Sequence, residues 1–187
     1  MTEAEFLHTV RGNPVNAELL LRLRSLELPE CHLTAGCLFQ TVWNKLSGRD
    51  RRWGVKDYDV FYFDNSDTSW EAGDQVIRRV SAAMADLAVN VEIRNQARVH
   101  LWYPDRFGGT YPELRSARDG IDRYLVSCTC IGVEIESGAV YAPNGLKELT
   151  AGVLRLNPVN ARPDLFRLKA ESYKTRWPWL TVLHQPV

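Results

Sequence analysis

The stretch that decides the fold is Lys56-Asp-Tyr-Asp-Val-Phe-Tyr-Phe-Asp64. Its tyrosine, valine and phenylalanine residues are typical of a β-strand on a pleated, half-buried surface. Because side chains two residues apart on a strand point to the same face, Asp57 and Asp59 project together. Two carboxylates this close repel each other unless a cation lies between them or one of them is protonated. The pair therefore indicates a Mg²⁺ site for phosphoryl chemistry or, alternatively, a solvated strand end with two surface acids.

The composition limits the class of protein. The chain has 187 residues, enough for a single domain with a well-buried core, and its 23 lysines and arginines balance 23 aspartates and glutamates. A net charge near zero argues against a general nucleic-acid coat or a membrane-surface role and gives no strong nucleic-acid signature, although a local basic patch stays open. The sequence shows no secretory signal and no apolar run of membrane-spanning length. We expect a cytoplasmic protein without a membrane partner.

The four cysteines, Cys31, Cys37, Cys128 and Cys130, lie in mostly apolar surroundings. Cys128 and Cys130 are only two residues apart and lack a second pair, so the spacing matches no common zinc pattern. We predict reduced, buried thiols, which are common in cytoplasmic proteins.

A second candidate feature precedes the aspartate strand. Residues 31–34 predict a short extended segment, Ala35-Gly36 a tight turn, and the following residues a helix that ends at Gly48. A helix that starts behind small residues presents free N–H groups and the positive end of its dipole to a phosphate. The same turn is equally consistent with close packing of helix against strand. Gln40 and Asn44 lie on this helix where they could face a ligand.

The clearest alternation in the chain covers residues 91–102 and predicts one long strand. The polar face of this strand has two interpretations. It is either the solvent-exposed face of an edge strand, or it contributes Glu92 as a third carboxylate together with basic residues that contact phosphate or base. That polar face comprises Glu92, Arg94, Gln96, Arg98 and His100.

The remaining patterns predict packing elements. We expect a loop over 103–112, a hairpin of residues 131–136 and 139–141 turned at Ser137-Gly138, and an apolar extended tail over 177–180. Helices are predicted over residues 2–10, 15–26, 70–87, 114–128, 143–153 and 163–174.

The chain resembles the polymerase β-type nucleotidyltransferase superfamily and, more closely, a bacterial nucleotidyltransferase-like family named from fold-level motifs and not from an established reaction. The resemblance covers almost everything from Leu33 to Trp179, and its most specific part is Asn95-Gln-Ala-Arg-x-His-Leu-Trp102. The other motifs that carry it are Ala35-Gly-Cys37, Thr41-Val-Trp-Asn44, Asp57-Tyr-Asp59, Val91-Glu-Ile-Arg94 and Tyr141-Ala-Pro-Asn-Gly-Leu146.

The resemblance implies an α+β fold with a small mixed β-sheet flanked by helices and with helical additions at both ends. The chain would be a single nucleotidyltransferase-like domain over residues 1–187, with a core at about 31–142 and a C-terminal helical extension at about 143–187.

The resemblance also implies that Asp57, Asp59 and Glu92 are the catalytic residues and hold Mg²⁺, with two ions as an option. The usual turn carries Gly-Gly or Gly-Ser, whereas Ala35-Gly36-Cys37 stands here and replaces a useful hydroxyl with a thiol. The expected nucleotide-binding residues are Ala35, Gly36, Cys37, Asn44, Arg94, Gln96, Arg98 and His100.

Three functions compete at this point. The leading hypothesis is Mg²⁺-dependent transfer of a nucleoside monophosphate from an NTP, such as ATP, to an unknown acceptor that is a small molecule, RNA or protein. The second is a non-catalytic nucleotide- or protein-binding relative, such as a regulator or an antitoxin-like partner, motivated by the imperfect Gly-Cys turn. The third is a hydrolase that uses the same carboxylates.

Overall fold

The structure, a computed structural model, describes residues 1–183 and combines helices with two small sheets. Thr2 caps the first helix through a capping box with Glu5. The α-helices are α1 (Glu3–Arg11), α2 (Pro14–Arg22), α3 (Gly36–Leu46), α4 (Trp70–Ala83), α5 (Val99–Phe107), α6 (Ala117–Ile121), α7 (Lys147–Ala151) and α8 (Pro163–Arg176).

The main sheet has five strands in the order β3-β2-β1-β4-β5 and is mixed. Strand β1 is antiparallel to both β2 and β4, while β2 and β3 are parallel. A second sheet pairs β6 and β7 in parallel. The strands are β1 (His32–Thr34), β2 (Asp57–Tyr62), β3 (Asn90–Asn95), β4 (Gly132–Glu134), β5 (Val140–Tyr141), β6 (Val153–Arg155) and β7 (Thr181–Leu183). The predicted mixed sheet flanked by helices is confirmed, and so is the hairpin β4-β5.

The two faces of β2 have different surroundings, one in the core and one at the candidate site. Tyr58, Val60 and Tyr62 are buried on one face, where α3 packs against β2, and α4 packs against the neighbouring β3. Asp57 and Asp59 alternate with them on the other face, and both are more accessible to solvent. The four cysteines are also buried, and they are free thiols as predicted.

The predicted long strand over 91–102 is wrong beyond Asn95. The Asn95 carboxamide oxygen accepts a hydrogen bond from the Ala97 N–H at 3.1 Å and caps a 3₁₀ turn, after which α5 begins. The apolar residues beyond Asn95 therefore do not form the buried face of a strand. Leu101, for example, lies on a helix and is 51% exposed. The predicted loop over 103–112 is in part this helix, which runs to Phe107.

The predicted helix over 114–128 is also wrong, because α6 ends at Ile121. The Asn157 amide donates to the carbonyls of Asp122 and Tyr124 at 2.6 and 2.7 Å, and these bonds hold the following backbone in a non-helical course. The 177–180 segment makes a turn, closed by the Leu180 N–H on the Trp177 carbonyl at 3.0 Å, and not the predicted extended tail.

The predicted C-terminal helical extension contains β6 and β7 besides its helices, and its residues 184–187 lie outside the described part of the chain. Within residues 1–183, the helices are all too short or too polar to span a bilayer.

Candidate active site

The centre of the site is the pair of carboxylates on β2. Parallel pairing with β3 sets Asp57 beside Asn90 and Asp59 beside Glu92. Because paired residues of neighbouring strands present their side chains on the same face, Glu92 joins the two aspartates there. The prediction that a third acid lies near the Asp-Tyr-Asp motif thus has a geometric basis in the strand order.

Polar contacts hold Glu92 and Asp57 in place. The Asn90 amide donates to Asp57 Oδ1 at 2.8 Å and to Glu92 Oε1 at 3.3 Å. Arg94 donates to Glu92 Oε2 at 3.1 Å. Glu92 therefore has both of its oxygens engaged by neighbours on its own strand.

Asp59 has the most perturbed carboxyl group of the three. Burial raises the pKa of Asp59 from its ordinary value of 3.8 to about 6, and the negative charges of Glu92 and Asp57 add to the increase. Lys169 and Arg94 act in the opposite direction but do not cancel it. The nearby positive charges therefore do not fully offset the effects of burial and of the neighbouring carboxylates on Asp59.

The N-terminus of α3 lies at the same cleft as the aspartates. Ala35 and Gly36 line the cleft, and α-helix geometry leaves the first N–H groups of α3 without partners inside the helix. Ala35 has φ 60° and ψ −140°, a backbone conformation that favours glycine. Backbone strain of this kind is often found at functional sites, so the turn is consistent with a phosphate-binding role.

The cleft has a volume of about 800 Å³, and α8 forms its opposite wall. Five residues of α8 line it, namely Lys169, Ser172, Tyr173, Thr175 and Arg176. Their helical spacing puts them on one side of the helix. The cleft therefore sets carboxylates and a helix N-terminus on one side against cationic and hydroxyl groups on the other.

Arg176 connects the two walls. Its guanidinium donates to Gln40 Oε1 at 3.1 Å and to the Gly54 carbonyl at 3.3 Å. It also lies over the Trp177 ring, at 4.5 Å from the centroid. These contacts fix α8 against α3 and so define the width of the cleft.

Two residues predicted to contact nucleotide lie in the core. Cys37 is fully buried, and its thiol donates to the Thr34 carbonyl at 3.1 Å. Asn44 is also fully buried, where it donates to the Trp53 carbonyl at 2.8 Å and accepts from the Trp177 indole at 3.0 Å. Both side chains stabilise the frame of the cleft and do not line it.

The residues that follow Asn95 are also apart from the cleft, because the strand ends there. Gln96 is buried, with its side chain packed over Gly120. Arg98 donates to the Thr68 carbonyl at 2.8 Å. His100 lies on α5, and its buried Nδ1 has no hydrogen-bond partner among the described residues. The structure brings together Ala35, Gly36, Asp57, Asp59 and Glu92. It places Gln96, Arg98 and His100 away from that group.

Sequence reasoning missed most of the cationic wall. Arg123, Lys169 and Arg176 line the cleft, together with Tyr124 and the Lys56 that precedes β2. The helical spacing of the polar residues on α8 was the available signal, although nothing in it says what that face packs against.

The carboxylate set fits a hard divalent cation. Among residues 1–183, no three His, Cys, Asp or Glu side chains are already close enough to enclose an ion. Burial, together with the negative charges of Glu92 and Asp57, raises the pKa of Asp59, and a bound cation would offset both effects. Carboxylate oxygens are the ligands that Mg²⁺ prefers. Asp57 and Asp59 are the accessible donors, and Glu92 could join them only by releasing a contact to Asn90 or Arg94.

Comparison with solved structures identifies the fold as that of a nucleotidyltransferase head domain. A protein whose NMR structure was described as revealing a CCA-adding enzyme head domain has a TM-score of 0.78 and 23% identity, over 98% of this chain and 97% of that one. The Thermotoga maritima CCA-adding enzyme complexed with tRNA_CCA has a TM-score of 0.58 and 12% identity. The alignment with the Thermotoga enzyme covers 99% of this chain but only 43% of that one.

The sequence identifies the family. Residues 21–182 match the model of a nucleotidyltransferase family, so the chain belongs to that family. No curated protein matches the chain significantly.

Proposed function

We propose that the protein transfers a nucleoside monophosphate from an NTP to an acceptor in a Mg²⁺-dependent reaction. The observation that carries the proposal is the position of Asp57 and Asp59, side by side on β2 and facing a cleft that also holds the N-terminus of α3. Membership of a nucleotidyltransferase family supports it.

In this proposal Asp57 and Asp59 hold Mg²⁺, and Glu92 completes the set. When bound, the ion would supply charge neutralisation on the nucleotide phosphates and activation of the acceptor hydroxyl. The residues of the chain position the reactants: the N–H groups at Gly36 face phosphate oxygens, and Lys169 offsets charge from the opposite wall.

The polar groups of α8 are well placed to contact the rest of the nucleotide. Lys169 is exposed in the cleft and lies close enough to Asp59 to lower the pKa of that carboxyl group. Arg123 lines the cleft near Tyr124. We infer that these two cations contact the triphosphate, while Arg176 keeps the walls at their present distance.

The test is a calorimetric titration of each NTP, with and without Mg²⁺, into wild type and the Asp57→Asn/Asp59→Asn double variant. We expect Mg²⁺-dependent binding that the double variant loses, with thermal unfolding reporting the same stabilisation by mass action. A matched control is Asp105→Asn, which removes one exposed carboxylate elsewhere on the surface. Failure of every NTP to bind well-folded wild type would contradict the proposal.

A second candidate function is a non-catalytic nucleotide or protein binder, such as a regulator or an antitoxin-like partner. It is favoured by one observation: Cys37 stands where the related turn carries a hydroxyl, and its thiol points to Thr34 and not to the cleft. Radiolabelled NTP incubated with candidate acceptors distinguishes the two functions. Labelled product that requires Asp59 establishes transfer, whereas binding without product or with free monophosphate alone supports the binder or a hydrolase.

The buried free thiols are consistent with a reducing compartment, and we propose a cytoplasmic location. The location of an epitope-tagged chain after cell fractionation tests it.

A further inference from the structure

A second surface of the protein lies outside the carboxylate cleft, at the C-terminal end of the edge strand β3. It is a groove of about 270 Å³ between α4 and α5. Among its ten lining residues are three arginines, Arg94, Arg98 and Arg106, and none is a carboxylate. Trp70 and Trp102 form its aromatic sides. The groove thus combines positive charge with flat aromatic surface.

The aromatic surface is accessible, which a purely structural cluster does not require. Trp70 is 64% exposed at the start of α4, and Phe107 is 56% exposed at the end of α5. The Arg106 guanidinium lies 5.3 Å from the centroid of the Phe107 ring. Exposed tryptophan and phenylalanine beside arginine are characteristic of proteins that stack the bases of a single strand and hold its phosphates.

A continuous series of ring contacts leads from this groove to the carboxylate cleft. Trp102 and Tyr103 have centroids 6.2 Å apart, and Tyr103 and Tyr111 are 4.5 Å apart. Arg123 lies 5.2 Å from the centroid of Tyr111 and lines the cleft. Phe107 joins this series through ring contacts with Trp102 and Tyr103, and Trp70 lines the groove beside Trp102 without a ring contact to it. We call Trp70, Trp102, Tyr103, Phe107 and Tyr111 the aromatic track.

Arg94 forms a second link between the two sites. It lines the groove, and it also donates to Glu92 at 3.1 Å, beside Asp59 in the sheet register. A phosphate bound at Arg94 would therefore lie next to the carboxylates, and it would compete with Glu92 for the guanidinium.

We propose that the aromatic track and its arginines bind a single-stranded nucleic acid and direct its 3′ end into the carboxylate cleft. The bases would stack on the track, and Arg98 and Arg106 would contact the phosphates. Delivery of a 3′ hydroxyl to the cleft rests on the proposed nucleotidyl transfer, whereas binding of the strand does not. The near-zero charge of the whole chain does not oppose this, because the positive charge is local.

The test is fluorescence anisotropy with 5′-labelled single-stranded RNA of about 12 nucleotides, and with DNA of the same sequence, in EDTA and without NTP. Both sugars share the proposed chemistry, so the two arms show which one the track prefers. The test variant is Trp70→Ala/Arg106→Ala, since both side chains are exposed. We expect its affinity for the strand to fall by about tenfold or more.

The matched control is Leu21→Ala/Arg155→Ala, which removes one exposed large apolar side chain of α2 and one exposed arginine of β6, neither of which lines the groove or the carboxylate cleft. We expect this control to bind within about twofold of wild type. The Arg106→Ala variant alone should also lower the dependence of affinity on salt, because one phosphate contact is lost, whereas Trp70→Ala alone should not.

The proposal is overturned if wild type binds neither strand, or if the test variant and the control weaken binding equally. A change in sedimentation of the Trp70→Ala/Arg106→Ala variant with unchanged oligonucleotide affinity would mark a protein-binding face and also overturn it. None of these results depends on NTP binding, so the failure of the track and the failure of nucleotidyl transfer are separable.

Discussion

Replacing Asp59 with asparagine should stabilise the metal-free protein at neutral pH while it removes activity. Burial and the neighbouring acids raise the pKa of Asp59 from 3.8 to about 6. The folded state therefore holds this proton more tightly than the unfolded state. As pH rises from about 4 to about 6, the unfolded state releases the proton first, and the free energy of unfolding of wild type falls.

The size of the effect follows from the same values. The interval between 3.8 and about 6 corresponds to up to about 3 kcal/mol, which wild type has lost once the pH exceeds about 6. Asparagine has nearly the same shape and no charge to bury. We expect Asp59→Asn to be more stable by up to about 3 kcal/mol at about pH 8, and equal to wild type at about pH 4.

The assay is urea unfolding of wild type and variant at several pH values in EDTA. The difference between the two proteins is the quantity of interest, since pH effects shared with other groups cancel. The control Asp105→Asn removes an exposed carboxylate that does not contribute to the pKa of Asp59, and it should change stability by no more than about 0.5 kcal/mol. Added Mg²⁺ should raise the stability of wild type more than that of Asp59→Asn.

A difference that does not vary with pH, or an Asp59→Asn protein that is less stable at about pH 8, would refute the reasoning. The first result would mean that cleft water already solvates the carboxylate. The second would mean that Asp59 makes a stabilising contact which asparagine cannot replace.

Four other substitutions test the frame of the site. Ala35→Gly should raise the free energy of unfolding by about 1 kcal/mol because it relieves a positive φ, and urea titration would show no gain if the turn is unstrained. Cys37→Ser should change NTP affinity by less than about twofold in calorimetry, since the new hydroxyl would donate to Thr34 and not to phosphate; a larger gain would place it in the cleft. Lys169→Ala should weaken NTP binding by about tenfold with little change in stability, and unchanged affinity would remove Lys169 from the site. Asn44→Ala should cost about 2 kcal/mol of stability, because buried partners lose their hydrogen bonds, and a loss of affinity without a loss of stability would mean that it binds ligand.

The sequence was sufficient to predict the carboxylate pair, because the features that decide it are local. A period of two along residues 57–62 puts Asp57 and Asp59 on one face whatever the rest of the chain does. The start of α3 behind Ala35-Gly36 depends equally on nearby residues. Alternation along residues 91–102 left Glu92 as either a third carboxylate or a solvent-exposed acid, and the family resemblance favoured the first.

Errors arose where a distant contact decides the backbone. Alternation continues past Asn95, but the Asn95 amide donates to the Asp64 carbonyl at 2.8 Å while its oxygen caps the next turn, and the strand ends. Asn157 lies 36 positions after Ile121 in the chain, yet its hydrogen bonds end the predicted helix there. Neither partner can be recognised from a pattern in a local window.

The cationic wall was unpredictable for a related reason. Lys169 and Asp59 are brought to one cleft only because α8 packs over α3, where Tyr173 lies 5.3 Å from Trp43 and 5.4 Å from Phe39 between ring centroids. The polar stripe on α8 is visible in the sequence, but a solvated helix face would show the same stripe.

Two features that cost stability lie together at the mouth of the cleft. Ala35 adopts a conformation suited to glycine, and Asp59 is a carboxyl group buried among like charges. Asn44 and Asn157 of the frame are fully hydrogen-bonded. Asn16 Oδ1, His32 Nε2 and His100 Nδ1 are buried without a partner among the described residues. A protein that only needed to fold would gain by removing both strains with single substitutions. A cation bound between the carboxylates would relieve the repulsion around Asp59, and the course of the chain at Ala35 turns the start of α3 towards the same cleft. The proposed site for a cation and a phosphate therefore gives both costs a function.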